Sequence, residues 1–286
     1  MLTFRGRVLD RDRPLVMAII NRTPDSFWDR GATFDPAAAL DAVARAVGEG
    51  ADIIDIGGVK AGDGPEVTEA EEIARTAPFI ETVRGRFPDA VLSIDTWRAG
   101  PGDAALAAGA DLVNDTWAGW DPGLATVAAT HGAGLVCSHT GGQQPRTLPQ
   151  PGLRYDDVVA DVITTTTTAA RRAVSLGVPR DGILIDPTHD FGKTTAHGLE
   201  LLRRSSELVA TGWPVLMALS RKDFVGETLD LPAEERLEGT LAATAFAAAA
   251  GVAVFRAHDV RATRRVLEMV ASIRGDRAPA APLRGL

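Results

Sequence analysis

Polar side chains recur in this sequence at the points where short apolar runs end. The runs are continuously apolar and rich in β-branched residues, which is typical of strands covered on both faces. If parallel strands carry these residues, their carboxyl ends meet and bring the polar groups together. A single member would be interpreted as a turn or cap residue, but the whole series predicts a binding or active site. The series is Asn21, Asp55, Asp95, Asn114, His139, Asp186, Ser220, Arg256 and His258.

One half of the series consists of oxygen acceptors and amides. Asp95, Asn114 and Asp186 follow three different runs. Carboxylate and amide oxygens accept hydrogen bonds from N–H groups. The three residues therefore predict a pocket for a flat heterocycle that carries several N–H donors.

The other half can bind an anion. Arg221, Lys222, Arg256 and His258 follow the last two runs, and phosphate sites of parallel barrels commonly lie there. Asn21 follows the first run, where its amide oxygen is suited to hold Mg²⁺ beside a phosphate. Together the two halves predict a phosphorylated or pyrophosphorylated heterocycle as the ligand.

The elements that must position these residues are eight predicted strands separated by helical patterns. Eight alternating units without a linker predict one (β/α)₈ barrel, a TIM barrel, with residues 1–286 as a single domain. A doubly wound open sheet is the alternative. We favour the barrel because eight units fit it and no glycine fingerprint for a dinucleotide follows the first strand. The strands are predicted at 15–20, 52–57, 91–95, 111–115, 134–139, 183–187, 214–220 and 252–259.

Composition narrows the class of protein. The net charge of −8 argues against a nucleic-acid groove, which requires a basic face. One cysteine, Cys137, cannot form an intrachain disulfide framework. The amino-terminal residues are charged and do not predict a secretory signal, and the longest uncharged run, 239–255, predicts a buried helix leading into a strand, not a membrane span. We therefore expect a cytoplasmic protein without a nucleic-acid or membrane partner.

Six segments of the chain resemble the motif series of the dihydropteroate synthases, in the same order and spacing from about Leu15 to Ile273. The segments are MAIINRTPDSFWDRG, SIDTWRA, DLVNDTWAG, LIDPTHDFGKT, SRKDFVGETLDLPAEERLEGT and FRAHDV. The related pterin-binding methyltransferases share the acidic pterin site but lack the SRK motif.

The resemblance implies an activity and its partners. Members of the family join 6-hydroxymethyl-7,8-dihydropterin diphosphate to p-aminobenzoate in folate biosynthesis and release pyrophosphate, with Mg²⁺ as the cofactor. It also implies a homodimer formed through the last helices. The final helical segment supplies an apolar face for this from Val260, Val266, Met269 and Ile273.

The resemblance also implies a role for each site residue. Asp95, Asn114 and Asp186 would bind the pterin edge, Lys222 would contact the pterin carbonyl side, and Phe191 would shape the pocket. Asn21, Arg256 and His258 would hold pyrophosphate with Mg²⁺, with Asn21 as the metal ligand. Ser220 would receive the aminobenzoate carboxylate. Apart from the resemblance, the position of Arg221 after the seventh run predicts that it completes the anion site. We expect Asn21, Lys222, Arg256 and His258 to carry the catalytic roles.

The chain departs from the family pattern mainly in the loops after the strands. Where the family carries Glu-Ser-Thr-Arg-Pro after the second strand, this chain has Val59, Lys60, Ala61 and Gly62. The lost threonine and arginine would reach over the substrate, and lysine cannot reproduce a bidentate guanidinium contact. Further departures are expected to add bulk or charge, or to lose a contact, near the ligand, and Asp190 would add negative charge close to Asp186. These departures are Arg22, Trp28, Arg30, Ser138, Thr188, His189, Asp190 and Ala218.

Two hypotheses therefore remain open. The chain is an active dihydropteroate synthase, or it is an inactive, regulatory or differently specific paralogue that keeps the barrel and binds pterin-like ligands without this turnover. We favour the first because the pterin and anion residues are retained, and we keep the second as the alternative because the second loop is altered.

Overall fold

The computed structural model describes residues 1–10, 13–24, 33–146, 154–281 and 284. Within them, eight parallel strands form one sheet, preceded by a two-stranded antiparallel hairpin. The hairpin strands are β1 (Leu2–Phe4) and β2 (Arg7–Leu9). The sheet strands are β3 (Leu15–Asn21), β4 (Ile53–Gly57), β5 (Val91–Asp95), β6 (Leu112–Asp115), β7 (Gly134–Ser138), β8 (Ile183–Asp186), β9 (Leu216–Ala218) and β10 (Val254–Ala257).

The sheet closes on itself as a barrel. Its strands follow the order β8-β7-β6-β5-β4-β3-β10-β9, so each strand from β3 to β8 pairs with the next in sequence and β10 returns to β3. A parallel bridge between Ile185 and Val215 links the two ends of the order. The (β/α)₈ barrel is therefore confirmed, and the open doubly wound sheet is excluded.

Helices surround the barrel and begin where the sequence predicts caps. Asp35 accepts a hydrogen bond from the Ala38 amide at 2.9 Å, and Thr68 accepts one from the Glu71 amide at 3.2 Å. The threonine tract 164–168 lies inside one continuous helix, as predicted. The helices are α1 (Pro36–Gly48), α2 (Glu69–Arg86), α3 (Ala99–Ala107), α4 (Leu124–Thr130), α5 (Val158–Ser175), α6 (Thr195–Arg203), α7 (Ser205–Ala210), α8 (Asp223–Leu229), α9 (Leu237–Ala249) and α10 (Val260–Arg274).

The amino-terminal hairpin closes the bottom of the barrel. Leu2 and Phe4 are fully buried and pack in one cluster with the inward-facing bases of the strands, such as Met17 and Ile53. The local sequence pattern does not predict this hairpin. Since the bottom is plugged by apolar side chains, the opposite end, at the carboxyl ends of the strands, is left as the open mouth.

No helix in the described part of the chain is long and apolar enough to cross a membrane. The uncharged run 239–255 instead divides between α9, which lies against the barrel, and β10.

Candidate functional site at the barrel mouth

Strand register places the predicted residues of the first half of the sheet at one level. Asn21 pairs with Gly57, Gly57 with Asp95, and Asp95 with Asn114. A side chain at Gly57 would begin only 3.5 Å from the Asp95 Cβ and 3.8 Å from the Asn21 Oδ1. The glycine therefore keeps the floor of the mouth open between these two polar groups.

Arg256 ties two of the acidic strand ends together. Its Nε donates to Asp55 Oδ2 at 2.6 Å, and a terminal nitrogen donates to Asp95 Oδ2 at 2.7 Å. Asn114 Nδ2 donates to the same Asp55 oxygen at 3.0 Å, and Thr116 Oγ1 donates to Asp95 Oδ1 at 3.1 Å. The guanidinium thus lies inside the predicted pterin half and not apart from it.

Two carboxylates share this one guanidinium, so one negative charge is left uncompensated. Burial raises the pKa of Asp95 to about 7, against the opposing effect of Arg256, and the charge of Asp55 raises it further. Two buried oxygens of the cluster, Asp55 Oδ1 and Asn114 Oδ1, have no hydrogen-bond partner among the described residues. Buried acceptors of this kind are usually paired, so the cluster is suited to receive N–H donors from a ligand.

Asp186 and Lys222 interact electrostatically on the far side of the mouth. Asp186 Oδ1 accepts the Thr188 amide at 2.7 Å. Lys222 Nζ donates to the His189 carbonyl and lies 5.0 Å from the centre of the Phe191 ring. Burial raises the pKa of Asp186, opposed by Lys222, and burial lowers the pKa of Lys222. The two charges therefore stabilise each other in a partly dry site.

A second lysine, Lys193, anchors the loop after β8 through its ammonium group. Lys193 Nζ contacts His139 Nδ1, the His139 carbonyl and the Phe191 carbonyl at 2.9 Å each, and the Thr188 carbonyl at 3.3 Å. Burial lowers the pKa of Lys193 to about 7. Burial, followed by the charge of Lys193, lowers the pKa of His139 to about 4, so His139 is neutral and its Nε2–H faces Asp161 at 2.6 Å. His139 therefore supports the loop and does not reach into the mouth as a ligand contact.

The residues predicted for the anion half are brought together but are already engaged. Arg221 donates to both Asp259 oxygens, at 2.9 and 3.2 Å, and to the carbonyls of Ala233 and Glu234. His258 Nδ1 lies 3.0 Å from Ser220 Oγ, which also accepts the His258 amide. Burial, with Arg256 and Arg221 adding to it, lowers the pKa of His258 to about 3. The imidazole is therefore neutral at pH 7.

The altered loop after β4 is held by arginines from other elements. Arg75 of α2 donates to the Gly58 carbonyl at 2.9 Å. Arg146, in the loop after β7, donates to the Pro65 carbonyl at 2.7 Å and to the Gly62 carbonyl at 3.4 Å. Lys60 is partly exposed between these anchor points. The loop thus supplies one ammonium group where the family pattern has an arginine.

Several departures from the family pattern face away from the ligand space. Arg22 donates to the carbonyls of Thr33 and Phe34, which precede α1, and lies 4.7 Å from the ring centre of Phe79 on α2. Ser138 Oγ donates to the Asp115 carbonyl at 2.5 Å and accepts the Ala118 amide at 3.0 Å. These residues add no free charge to the pocket.

The loop after β8 was expected to place the negative charge of Asp190 near the ligand, but its side chains are engaged with α8 and its neighbours. The His189 ring packs 5.4 Å from the Phe224 ring, next to α6. The Asp190 carboxylate accepts the first backbone amides of α8. Ala218 is buried at the end of β9. Trp28 and Arg30 lie outside the described residues.

The described part of the mouth offers one oxygen ligand, Asn21 Oδ1, that is suited to Mg²⁺. Mg²⁺ prefers oxygen ligands and commonly combines one or two protein oxygens with phosphate and water. Asn21 Oδ1 lies at the floor, but the neighbouring Asp95 carboxylate is paired with Arg256. Among the described residues, no group of three or more His, Cys, Asp or Glu side chains is arranged to hold a metal ion. Asn21 therefore fits as a partner of a metal brought in with a phosphate, and not as part of a complete protein site.

Sequence reasoning assigned no role to three residues that organise the site. Asp55 was recognised as a polar strand residue, but its pairing with Arg256 spans 201 positions and leaves no local signal. Thr116 and Lys193 lie within the quoted motifs and act through side-chain contacts. A buried aspartate in the middle of an apolar strand, as in Asp55, was the one signal that could have found the ion pair.

Comparison with known proteins identifies the group to which this geometry belongs. The family model of pterin binding enzymes matches residues 17–258. A Mycobacterium tuberculosis protein named inactive dihydropteroate synthase 2 is 62% identical over 99% of this chain and 90% of its own length. A crystal structure of Yersinia pestis dihydropteroate synthase in complex with a sulfonamide drug is 37% identical, has a TM-score of 0.91, and covers 96% of this chain and 99% of that chain.

A further solved structure shows a ligand in a related barrel. The Xanthomonas albilineans dihydropteroate synthase in complex with 7,8-dihydropteroate is 37% identical, has a TM-score of 0.83, and covers 98% of this chain and 99% of that chain. The motif order, the closed barrel and the acidic cluster at its mouth agree with these matches. The chain therefore belongs to the dihydropteroate synthase family of pterin-binding enzymes.

Proposed function

We propose that this protein binds a 7,8-dihydropterin at the barrel mouth and transfers it to p-aminobenzoate much more slowly than synthases with an intact second loop. The observation that carries the proposal is the contrast between the two halves of the mouth. The pterin half presents unpaired buried acceptors, whereas the cations of the anion half are engaged with protein partners.

The pterin would lie with its N–H edge on the acidic cluster. Asn114 Oδ1 and Asp55 Oδ1 are buried and without partners among the described residues. Asp95 lies at the end of β5, between the strands of Asp55 and Asn114, and Asp186 lies at the end of β8, two strands beyond Asn114. Each hydrogen bond from the ligand would satisfy an acceptor that otherwise carries a desolvation cost of about 1–3 kcal/mol. Lys222 would approach the pterin carbonyl side, with Phe191 against the ring.

Transfer requires the diphosphate to leave. Arg256 and His258 would stabilise the negative charge that develops on the leaving group, and Asn21 would hold Mg²⁺ against its oxygens. The metal would supply charge stabilisation of the departing pyrophosphate. Ser220 would hold the carboxylate of p-aminobenzoate, whose amine then attacks the pterin methylene carbon. The C–N bond forms as the C–O bond to the diphosphate breaks, and the proton that the amine loses passes to the departing pyrophosphate or to water, so no acid–base pair is required.

Three features are expected to slow this step. Arg221 is bound by Asp259 and two carbonyls, and Arg256 is already paired with the carboxylates of Asp55 and Asp95. His258 is neutral. The second loop offers Lys60 in place of an arginine, and one lost donor to a developing charge typically reduces the rate about 10²–10³-fold. The relatives named inactive dihydropteroate synthase 2 support this direction.

Active synthesis remains the second candidate, because the chain retains Asp95, Asn114, Asp186, Lys222 and Arg256 at converging strand ends. The two candidates differ in one measurement. Turnover is followed by pyrophosphate release with the pterin diphosphate and p-aminobenzoate, for the wild type and for a variant with Glu-Ser-Thr-Arg-Pro at positions 59–63. We expect the graft to raise kcat/KM more than it raises pterin affinity.

The matched control for the graft carries alanine in place of its arginine. If the arginine supplies the missing charge, the control stays close to the wild-type rate. A wild type that already turns over at the rate of an intact-loop synthase would contradict the proposal, and so would a graft without effect in a protein that binds the pterin normally.

We also propose a homodimer through the last helices, in a cytoplasmic protein whose residues 1–286 form one domain. Large apolar side chains are exposed on α8, α9 and α10: Leu229, Phe246, Met269 and Ile273 are 48–71% exposed. Val260, expected on the same face, is instead buried against the barrel. The single cysteine, which is buried, is compatible with a reducing compartment.

A further inference from the structure

The loop after β8 contains residues in an unfavourable backbone conformation. Thr188 has φ of 52° and Asp190 has φ of 71°, in the left-handed region that favours glycine. A β-branched residue such as threonine is a clear outlier there, and aspartate tolerates the region better. Such strain persists only when surrounding contacts over-determine it, and it often marks a functional site. The contacts of Asp190 therefore need an explanation.

The Asp190 carboxylate caps a helix that has no cap of its own. Oδ2 accepts the Asp223 amide at 2.7 Å, and Oδ1 accepts the Phe224 amide at 3.3 Å. Lys222 is the residue before α8, and its side chain cannot accept a hydrogen bond. Asp190 thus supplies, from a different loop, the acceptor that a serine or aspartate usually supplies at this position.

The same loop also contacts the other end of Lys222. The Lys222 ammonium donates to the carbonyl of His189, which directly precedes Asp190, and lies 5.0 Å from the ring centre of Phe191, which directly follows it. Asp190 therefore fixes the backbone next to Lys222 by capping α8. His189 and Phe191 contact the charged end of the same lysine. The carboxylates of Asp190 and Asp186 both attract the ammonium.

We propose that Asp190 is a positioning residue for Lys222, which it holds over the Phe191 ring by docking the loop onto the start of α8 and by placing a negative charge beside the ammonium. The consequence for ligand binding rests on the proposed function, in which Lys222 contacts the pterin. In this account Asp190 does not repel the ligand; its charge is used by the helix terminus and the lysine.

The charges around Lys222 determine how its pKa should change when Asp190 is replaced by asparagine. Asp190, Asp186 and Asp223 favour the ammonium form, whereas burial and the neighbouring Arg256 and Lys193 disfavour it. Asp190→Asn keeps an oxygen that can accept the α8 amide but removes the charge. The Lys222 pKa should therefore fall, by about one pH unit for a lost opposite charge at short range. Binding that needs the ammonium is then lost at a lower pH.

The chain is well suited to this test because its only lysines are Lys60, Lys193 and Lys222. Protein labelled with ¹³C at lysine Cε gives three side-chain signals, and the Lys222 signal is identified by its absence in Lys222→Arg. We expect its titration midpoint to fall by about one pH unit in Asp190→Asn. The matched control is Asp223→Asn, which removes an adjacent carboxylate that pairs with Arg236; its shift should be less than half as large.

Fluorescence titration with 6-hydroxymethylpterin between pH 6 and 10 provides the second readout. Pterin affinity should begin to fall about one pH unit earlier in Asp190→Asn than in the wild type. A merely structural cap would leave both the Lys222 midpoint and this profile unchanged in Asp190→Asn, and that result would overturn the proposal. So would an equal shift in Asp223→Asn. A wild type that binds no pterin at any pH would instead refute the proposed function, while the Lys222 midpoint would still decide the role of Asp190.

Discussion

Replacing Arg256 by methionine tests the charge network at the centre of the mouth. Arg256 bonds Asp55 at 2.6 Å and Asp95 at 2.7 Å, and the Asp55 side chain is completely buried. Removing one partner of a buried ion pair costs about 3–5 kcal/mol, because the remaining charge stays in a dry environment. The free energy of unfolding at pH 7 should fall by this amount in Arg256→Met.

The assay is urea unfolding, with the double variant Asp55→Asn/Arg256→Met as the internal comparison. Asparagine keeps an oxygen acceptor for the Asn114 amide but carries no charge, so the double variant should recover roughly 1–3 kcal/mol of the loss, a usual coupling energy for contacting residues. Arg203→Met is the control for removing any arginine; its pair with Glu200 is exposed, and its cost should stay below about 1 kcal/mol. A cost below 1 kcal/mol in Arg256→Met, or no recovery on adding Asp55→Asn, would refute the reasoning.

Three further predictions concern pH, the anion site and assembly. The pKa of Asp95 is about 7 in the folded state and about 3.9 in an unfolded chain. The native state therefore keeps a proton that the unfolded state releases, and stability falls as pH rises from about 4 to about 7; Asp95→Asn should flatten this part of the urea-unfolding profile. Crystals soaked in millimolar pyrophosphate should show density beside Arg256 and His258, and density only elsewhere would remove this assignment. Light scattering at micromolar concentration should give about twice the 30.1 kDa chain mass, with a shift to the monomer in Phe246→Glu; a wild-type monomer would count against the dimer.

The barrel could be predicted because each strand carries its own signal. Runs such as LVMAIIN and VLSID are apolar, β-branched and bounded by polar residues, and the helices between them begin at visible caps such as Asp35. The hairpin at residues 2–9 was missed because its strands have three residues each and carry arginines around the turn. Short strands of this kind are stabilised by packing under the barrel and not by a local pattern.

The strand-end positions of Asn21, Asp95 and Asn114 could also be predicted, but their bonding could not. Register follows from strand order, so Asn21, Asp95 and Asn114 lie at one level as expected. Whether a guanidinium is available to a ligand depends on partners remote in sequence, as with Arg221 and Asp259. The same limit applies to Asp190. The sequence predicts that its charge opposes the ligand, whereas in the structure its carboxylate accepts a hydrogen bond from the first amide of α8.

The most direct test of the central claim compares pterin binding with pterin transfer in one preparation. Calorimetry with 6-hydroxymethylpterin should detect binding to the wild type, and Asp186→Ala should weaken it by about 2–5 kcal/mol if its carboxylate accepts ligand hydrogen bonds in a dry pocket. In the same protein, pyrophosphate release with the pterin diphosphate and p-aminobenzoate should be at least about 100-fold slower than in an intact-loop synthase. Unchanged affinity in Asp186→Ala, or full-speed pyrophosphate release, would contradict the account.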